Sequence, residues 1–322
     1  MNPEHLSRRQ FLEQAALAAS AMALASAGCQ QVTTPSGVAA TNSAATLAPA
    51  KVAVRRTVSD LVPLGNTGMK VSRLGVGLGS NNGQIQAAMG QEGFNAFIKH
   101  SFDRGITLYD TAQNYRTFGM MAAAIKGLPR EKIFIQSKIE QPANILAVID
   151  NHRKTFNTDY VDSMLVHIQY RENWTETWKR AMDDFNAAHE KKWILSKGVS
   201  CHSLPALRAS IASDWTQVHL VRVNPQGIRI DNEQQVSWAG GANDINPVLV
   251  ELKKMREKKR GIIGMKIFGN GEFLTDADRE KSARFAMSLP EIDAVVIGFS
   301  GIDQLDKGIS LLNSILAEPA PA

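Results

Sequence analysis

Residues 105–115 read GITLYDTAQNY. Ile106–Asp110 is a short, mostly apolar run. A glycine bounds it on one side and a polar segment on the other, which is the pattern of a buried strand. The run ends in a carboxylate, Asp110, and a tyrosine, Tyr115, follows five positions later. The fold depends on whether this unit repeats.

It does repeat. Strand candidates of the same kind lie at 71–78, 132–138, 161–167, 193–200, 218–224, 261–267 and 293–299. Between them are amphipathic stretches near 91–104, 117–126, 142–156, 174–190, 204–213, 246–259, 276–288 and 302–316. The first of these shows Phe94, Phe97, Ile98 and Phe102 at helical spacing. Strict alternation of strand and helix calls for a parallel sheet covered by helices. Eight units in about 250 residues match a closed (β/α)8 TIM barrel. Ahead of the repeat, VPLGNTGMKVSRLGVG (62–77) reads as an N-terminal β-hairpin. A doubly wound open sheet is the competing fold, and its best support is Gly75-x-Gly77-x-Gly79. No helix opens directly after those glycines, however, and no acidic residue closes a second strand about 20 residues on. The glycines are read as flexibility at a barrel mouth.

The first 57 residues differ in composition. Residues 1–14 are polar and contain Arg8 and Arg9; residues 15–28 are small and apolar; Cys29 follows. Charged region, short apolar core and small-residue cleavage site make up a bacterial secretory signal. The string Ser7-Arg8-Arg9-Gln10-Phe11-Leu12 resembles the twin-arginine export motif, which implies the machinery that moves folded cargo. Cys29 is a candidate lipid anchor, since SAGC resembles a lipobox, although Ser26 stands where that box usually has Leu. Simple cleavage after Ala25-Ser26-Ala27 is the alternative. Residues 30–57 are rich in Ala, Ser, Thr and Pro and lack aromatics, as in a flexible tether. The expected organisation is signal peptide 1–29, tether 30–57 and barrel 58–322. The expected location is the periplasm or cell envelope.

Composition limits the remaining classes. A net charge of +5 with scattered lysines, including KKMREKKR at 253–260, reads as solvated helix faces. It does not read as a nucleic-acid surface. Two cysteines, Cys29 and Cys201, build neither a disulfide framework nor a metal cluster, so no metal site is expected.

In a barrel, chemistry gathers where strands end. The second strand ends in Asp110, the third in Lys138 and the fourth in His167, and Tyr115 follows the second. Singly, these residues read as a helix cap, a snorkelling lysine, a core histidine and a surface aromatic. Together at the ends of consecutive units they read as a site.

These residues, with PLGNTGMKVSRLGVG (63–77), GITLYDTAQNY, KIFIQSK (132–138), YVDSMLVH (160–167), SKGVSCHS (196–203) and AVVIGFS (294–300), give the chain a resemblance to the aldo-keto reductase superfamily over about residues 60–317. The resemblance implies a (β/α)8 barrel that reduces aldehydes or ketones with a nicotinamide cofactor. NADPH is the usual cofactor, with NADH open. It also implies a catalytic tetrad at Asp110, Tyr115, Lys138 and His167. The residue types suit that chemistry. Hydride addition leaves negative charge on oxygen, and a phenol with a pKa of about 10 is a weak proton donor. The Lys138 ammonium is expected to lower that pKa, with Asp110 as counter-ion. His167 is expected to orient the carbonyl.

For the cofactor, GFSGIDQLDK (298–307) offers a helix start as a phosphate seat, with Ser300, Gln304 and Lys307 toward the adenosine. Ser200 and its neighbour Cys201 are expected at the carboxamide, where many relatives have Asn in place of the cysteine. Asn224 could serve the same group, and Lys266 could meet the pyrophosphate. Pocket walls for a small carbonyl substrate are expected from Asn81, Asn82, Tyr170, Trp174 and Trp238. Two rival functions stand beside this one. One is a catalytically silent barrel acting as a periplasmic binding or structural lipoprotein. The other is a metal-dependent hydrolase using His167, His202 and Asp110, which lacks the His-x-His pair such barrels want.

Overall fold

The computed structural model describes residues 56–238 and 240–318. The export motif, Cys29 and nearly all of the expected tether lie outside them. Eight strands form a closed parallel barrel: β3 (Leu74–Gly77), β4 (Leu108–Asp110), β5 (Phe134–Ile139), β6 (Val161–Gln169), β7 (Ile194–Cys201), β8 (Val218–Arg222), β9 (Gly261–Met265) and β10 (Ala294–Ile297). Each strand pairs with the next, and β10 closes onto β3 with Val296 opposite Gly75. This is the (β/α)8 fold.

β1 (Leu61–Pro63) and β2 (Lys70–Ser72) form the antiparallel hairpin, with Val62 opposite Val71. Val62, Leu64 and Val71 pack with Leu108, Phe134, Leu165 and Val218 from the barrel interior, so the hairpin plugs the end where the strands begin. Gly65 sits at φ +50, and a Cβ there would fall 2.3 Å from the Arg260 carbonyl carbon. Only glycine fits so close an approach. The run expected as one strand at 71–78 is therefore two, parted at Arg73.

The amphipathic stretches become the outer helices, including Gly90–Asp103, Ile145–Thr155, Asp276–Ser288 and Ile302–Ala317. The stretch 174–190 is not one helix. It breaks at Trp178 into Trp174–Thr177 and Lys179–Glu190. Trp174 and Trp178 are both buried there, and the Trp174 indole donates to the Ala206 carbonyl at 3.0 Å. Tertiary packing of two large rings overrides helical continuity.

Strand alternation sorts side chains between the barrel interior and the helix layer. In β5, Phe134 joins the interior cluster, while Ile135 and Ile139 join the outer one. Gln136 and Lys138 thus share the inward face with Phe134. In β4, Leu108 is interior and Tyr109 exterior, which turns Asp110 inward. In β6, Leu165 is interior and Val166 exterior, which turns His167 inward. Period two thus stacks a polar layer above an apolar one at the carboxyl ends of neighbouring strands.

Candidate active site

The polar layer is a connected cluster. Asp110 Oδ1 lies 2.7 Å from Lys138 Nζ and accepts a hydrogen bond from Gln136 Nε2 at 2.9 Å. Lys138 Nζ also donates to the Thr111 carbonyl at 2.8 Å and stands 5.1 Å from the centre of the Tyr115 ring. The Tyr115 phenol oxygen is 3.5 Å from His167 Nε2, and the two rings meet edge to face at 5.8 Å. Asp110, Tyr115, Lys138 and His167 are thus brought together in one cavity wall.

Lys138 is only 1% exposed. Burial works against its charge, but the Asp110 carboxylate more than offsets it and holds the ammonium above the ordinary lysine value. His167 is driven well below the usual imidazole range, first by burial and then by the Lys138 and Lys266 charges. It is neutral at physiological pH. Its Nδ1 is buried with no protein partner. Tyr115 departs from the expectation stated above. Burial raises its pKa, and the opposing Lys138 charge does not bring it back to the free phenol value. The ion pair explains this, because Asp110 neutralises part of the charge that Lys138 would present to the phenol.

Two backbone features shape the mouth. Ile168, directly after His167, has φ +53, and the β6–β7 register shifts between Val166 and Gln169. A β-branched residue in the left-handed region is strained, as at other functional sites. Lys266, directly after β9, has φ +59. The glycines after the first barrel strand serve close packing rather than flexibility. Gly75 and Gly77 lie inside β3, and a Cβ on Gly75 would fall 2.5 Å from Leu108 Cγ.

The cavity over the tetrad is about 970 Å3. Ser200, Lys266, Ser300 and Gln304 line it, as do Asn81, Asn82 and Trp238 among the expected pocket residues. A second hollow of about 670 Å3 adjoins it, sharing Arg279, Ser300 and Gln304, and there Lys307 lines the wall.

Four expected residues lie elsewhere. Asn224 braces its own loop: its amide donates to the Ile228 and Lys266 carbonyls at 2.8 and 3.1 Å and accepts from the Ile228 N–H at 3.0 Å. Both of its N–H donors are spent on these carbonyls, and it does not line the cavity. Cys201 is buried away from the cavity, and burial pushes its thiol pKa up. The next residue, His202, lines the cavity in its place. Trp174 belongs to the core, and Tyr170 is outside the cavity wall.

The sequence reading missed two residues and misread a third. Gly79, read as flexibility at the mouth, leaves room for Tyr115. Arg279, on the helix Asp276–Ser288, stands where the two hollows meet. Arg229 reaches the cavity from the loop after β8, where it pairs with Glu272 at 2.9 Å. Among the described residues, no cluster of three His, Cys, Asp or Glu side chains is arranged to hold a metal ion.

The residues fit a dinucleotide. The helix Ile302–Ala317 begins at Gly301 with no side-chain cap, so its first N–H groups are open toward an anion. Arg279 and Lys307 stand beside it. The two hollows share Arg279, Ser300 and Gln304 and so adjoin.

Comparisons with known proteins point the same way. The family model described as "Aldo/keto reductase family" matches residues 73–217. A probable aldo-keto reductase from Glycine max is 25% identical over 228 residues; the alignment covers 66% of this chain and only 60% of the soybean protein. A putative aldo-keto reductase from Pseudomonas aeruginosa superposes with a TM-score of 0.64 at 20% identity, covering 81% of this chain and 98% of that one. The holo form of an aldo-keto reductase from Bacillus halodurans gives 0.63 at 13% identity, with the same coverage. At such identities the structural likeness shows the fold, and the profile match makes residues 73–217 similar to the aldo-keto reductases.

Proposed function

We propose that this protein is an NADPH-dependent carbonyl reductase whose catalytic groups are Asp110, Tyr115, Lys138 and His167. The observation that carries the reading is the single cluster of phenol, imidazole, ammonium and carboxylate over the larger cavity. The family match and the probable reductase from soybean lend it support.

A reduced nicotinamide, when bound, supplies hydride to the carbonyl carbon. The protein's task is to manage the charge that then develops on oxygen. Tyr115 OH and His167 Nε2 are 3.5 Å apart, close enough for both to reach one substrate oxygen. His167 is neutral, so with its proton on Nε2 it can donate a hydrogen bond without surrendering the proton. Tyr115 then transfers its phenol proton to the developing alkoxide. The phenol is buried and reluctant to ionise until an alkoxide, a stronger base, is present. The Lys138 ammonium stabilises the phenolate left behind. Asp110 holds Lys138 charged against burial, which by itself lowers its pKa. Ser200 at the carboxamide end and Ser300, Gln304, Lys307 and Arg279 at the phosphate end are the residues assigned to the cofactor.

The proposal includes location. The twin-arginine-like string and the short apolar core before Cys29 support export of the folded barrel, with Cys29 as lipid anchor. Replacing Arg8 and Arg9 together by lysine should leave the protein in the cytoplasmic fraction, and mass spectrometry of the mature N-terminus reads the anchor directly.

The enzymatic test uses purified protein. NADPH and NADH are titrated by fluorescence, and oxidation at the nicotinamide band is followed with a panel of aldehydes and ketones. Turnover that is lost in Tyr115→Phe, with cofactor binding retained, supports the reading. Cofactor binding without turnover across the panel overturns it.

A further inference from the structure

Lys266 stands apart from the other cations of the cavity. Lys138 is paired with Asp110, Arg229 with Glu272 and Arg279 with Asp276. Among the described residues no carboxylate pairs with Lys266. An ammonium has three donors, and one of these meets the neutral Asn270 Oδ1 at 2.8 Å. Nζ also lies 5.3 Å from the centre of the Trp238 ring, a ring that packs edge to face on His202 at 4.9 Å and has Arg229 at 5.9 Å. The Lys266 backbone is held left-handed at φ +59, unfavourable for a side chain of this kind. The chain thus keeps an uncompensated cation at the end of β9, in the wall of the cavity that holds the tetrad.

The charges that act on Lys266 locate it further. After burial, they are Arg222 and Lys138, with Asp110 opposing and Arg229 adding, and they hold its pKa down at about 8. Lys266 in turn bears on His167. All of these belong to the tetrad or to the β8 side of the barrel. An anion beside Lys266 would restore its full charge and occupy its open donors. Lys266 Nζ meets the Trp238 face and the Asn270 amide oxygen.

Building on the reductase reading, we infer that Lys266, assisted by Arg229 across the Trp238 indole, is the seat for a carboxylate on the carbonyl substrate, so that the preferred substrates are oxo-carboxylates. Tyr115 and His167 take the carbonyl oxygen, Lys266 takes the carboxylate, and Trp238 covers the apolar substituent beside them. This assigns Lys266 to the substrate instead of the cofactor pyrophosphate.

The experiment compares phenylglyoxylate with its methyl ester at saturating NADPH, in wild type, Lys266→Met and Lys266→Arg. A second readout is tryptophan fluorescence during titration with mandelate, a carboxylate that needs no turnover to bind. Circular dichroism confirms folding of each variant. The expected result is a wild-type preference for the acid over the ester in kcat/KM that drops by about 10-fold or more in Lys266→Met, the scale of a lost charged hydrogen bond. Lys266→Arg should recover part of it, and mandelate binding should weaken in parallel. An unchanged acid-to-ester ratio in Lys266→Met overturns the inference. So does a weakened NADPH affinity with an unchanged ratio, which returns Lys266 to the pyrophosphate. If no carbonyl is reduced by wild type but mandelate binding depends on Lys266, the anion seat stands and the reductase reading falls.

Discussion

A Cβ on Gly79 would sit 2.3 Å from the Tyr115 ring and 2.7 Å from its phenol oxygen, so the tyrosine occupies the space that any side chain at 79 would need. The phenol's position is set by that absence. Gly79 has no positive φ to demand glycine, so close approach is the whole reason. Gly79→Ala should push the ring off His167 and Lys138. A displacement of about 1 Å in a proton donor costs on the order of 100-fold in rate. The expected outcome is a kcat lowered by that order, with cofactor affinity by fluorescence titration nearly unchanged and the circular dichroism spectrum intact.

Arg279 predicts cofactor choice. It lies where the two hollows meet and is held by Asp276 at 2.9 Å, with Ser300 and Gln304 beside it. A guanidinium there suits a phosphate carried at the adenosine end. Arg279→Ala should raise the NADPH dissociation constant by about 10-fold, one charged hydrogen bond's worth, and leave that of NADH within a factor of about two. Equal losses for both cofactors would show that Arg279 meets a group they share.

The difference between what was legible and what was not follows the range of the interaction. Lys138 stands out because it ends an apolar strand, and alternation with Phe134 alone turns it inward. Asp110 and His167 are visible for the same reason. Gly79 was misread because the ring that needs its space lies in another unit of the barrel. Arg279 was passed over because its helix, DADREKSARFAMS, carries charge on most of its polar positions and nothing local distinguishes one arginine. Asn224 looked available because its partners, Ile228 and Lys266, are fixed by loop geometry. Neither Ile168 nor Lys266 carries any local signal for a left-handed backbone; the barrel imposes it at the strand ends.

The buried pair Arg222–Asp231 holds the same mouth from below. Both side chains are fully buried, and Arg222 Nη2 also donates to the His202 carbonyl at 2.6 Å. Removing one partner leaves the other charged and desolvated. Arg222→Met should therefore cost about 3–5 kcal/mol in denaturant unfolding. The double change Arg222→Met with Asp231→Leu should recover most of that stability, since no orphan charge remains. Catalysis should recover less than stability, because the brace on the His202 backbone is gone in both.

Acid should loosen the barrel through its neutral histidines. His152, His167, His202 and His219 are all buried and held below the ordinary imidazole range, with His152 near 4 and His219 near 3, burial being the first cause in each. Below pH 6.5 the unfolded chain takes up a proton at each of these sites and the folded protein does not, so stability falls as pH falls. Each contributes a slope of about 1.4 kcal/mol per pH unit until the folded pKa is reached. Above pH 6.5 the contribution is flat. Asp162, Asp231 and Asp293, raised first by burial, titrate with the opposite sign, so the total slope mixes the two. His152 separates them. It sits between Phe118 and Phe156, with ring centres at 4.8 and 6.3 Å, and its only described hydrogen bond is to the Val148 carbonyl. His152→Phe keeps an aromatic ring in an aromatic cluster and removes one titrating group. Unfolding free energies measured in urea from pH 7.5 to 4.5 should show the variant losing about 1.4 kcal/mol less per pH unit than wild type below pH 6.5, and the same slope above it. Parallel curves over the whole range would mean that His152 is protonated in the folded barrel.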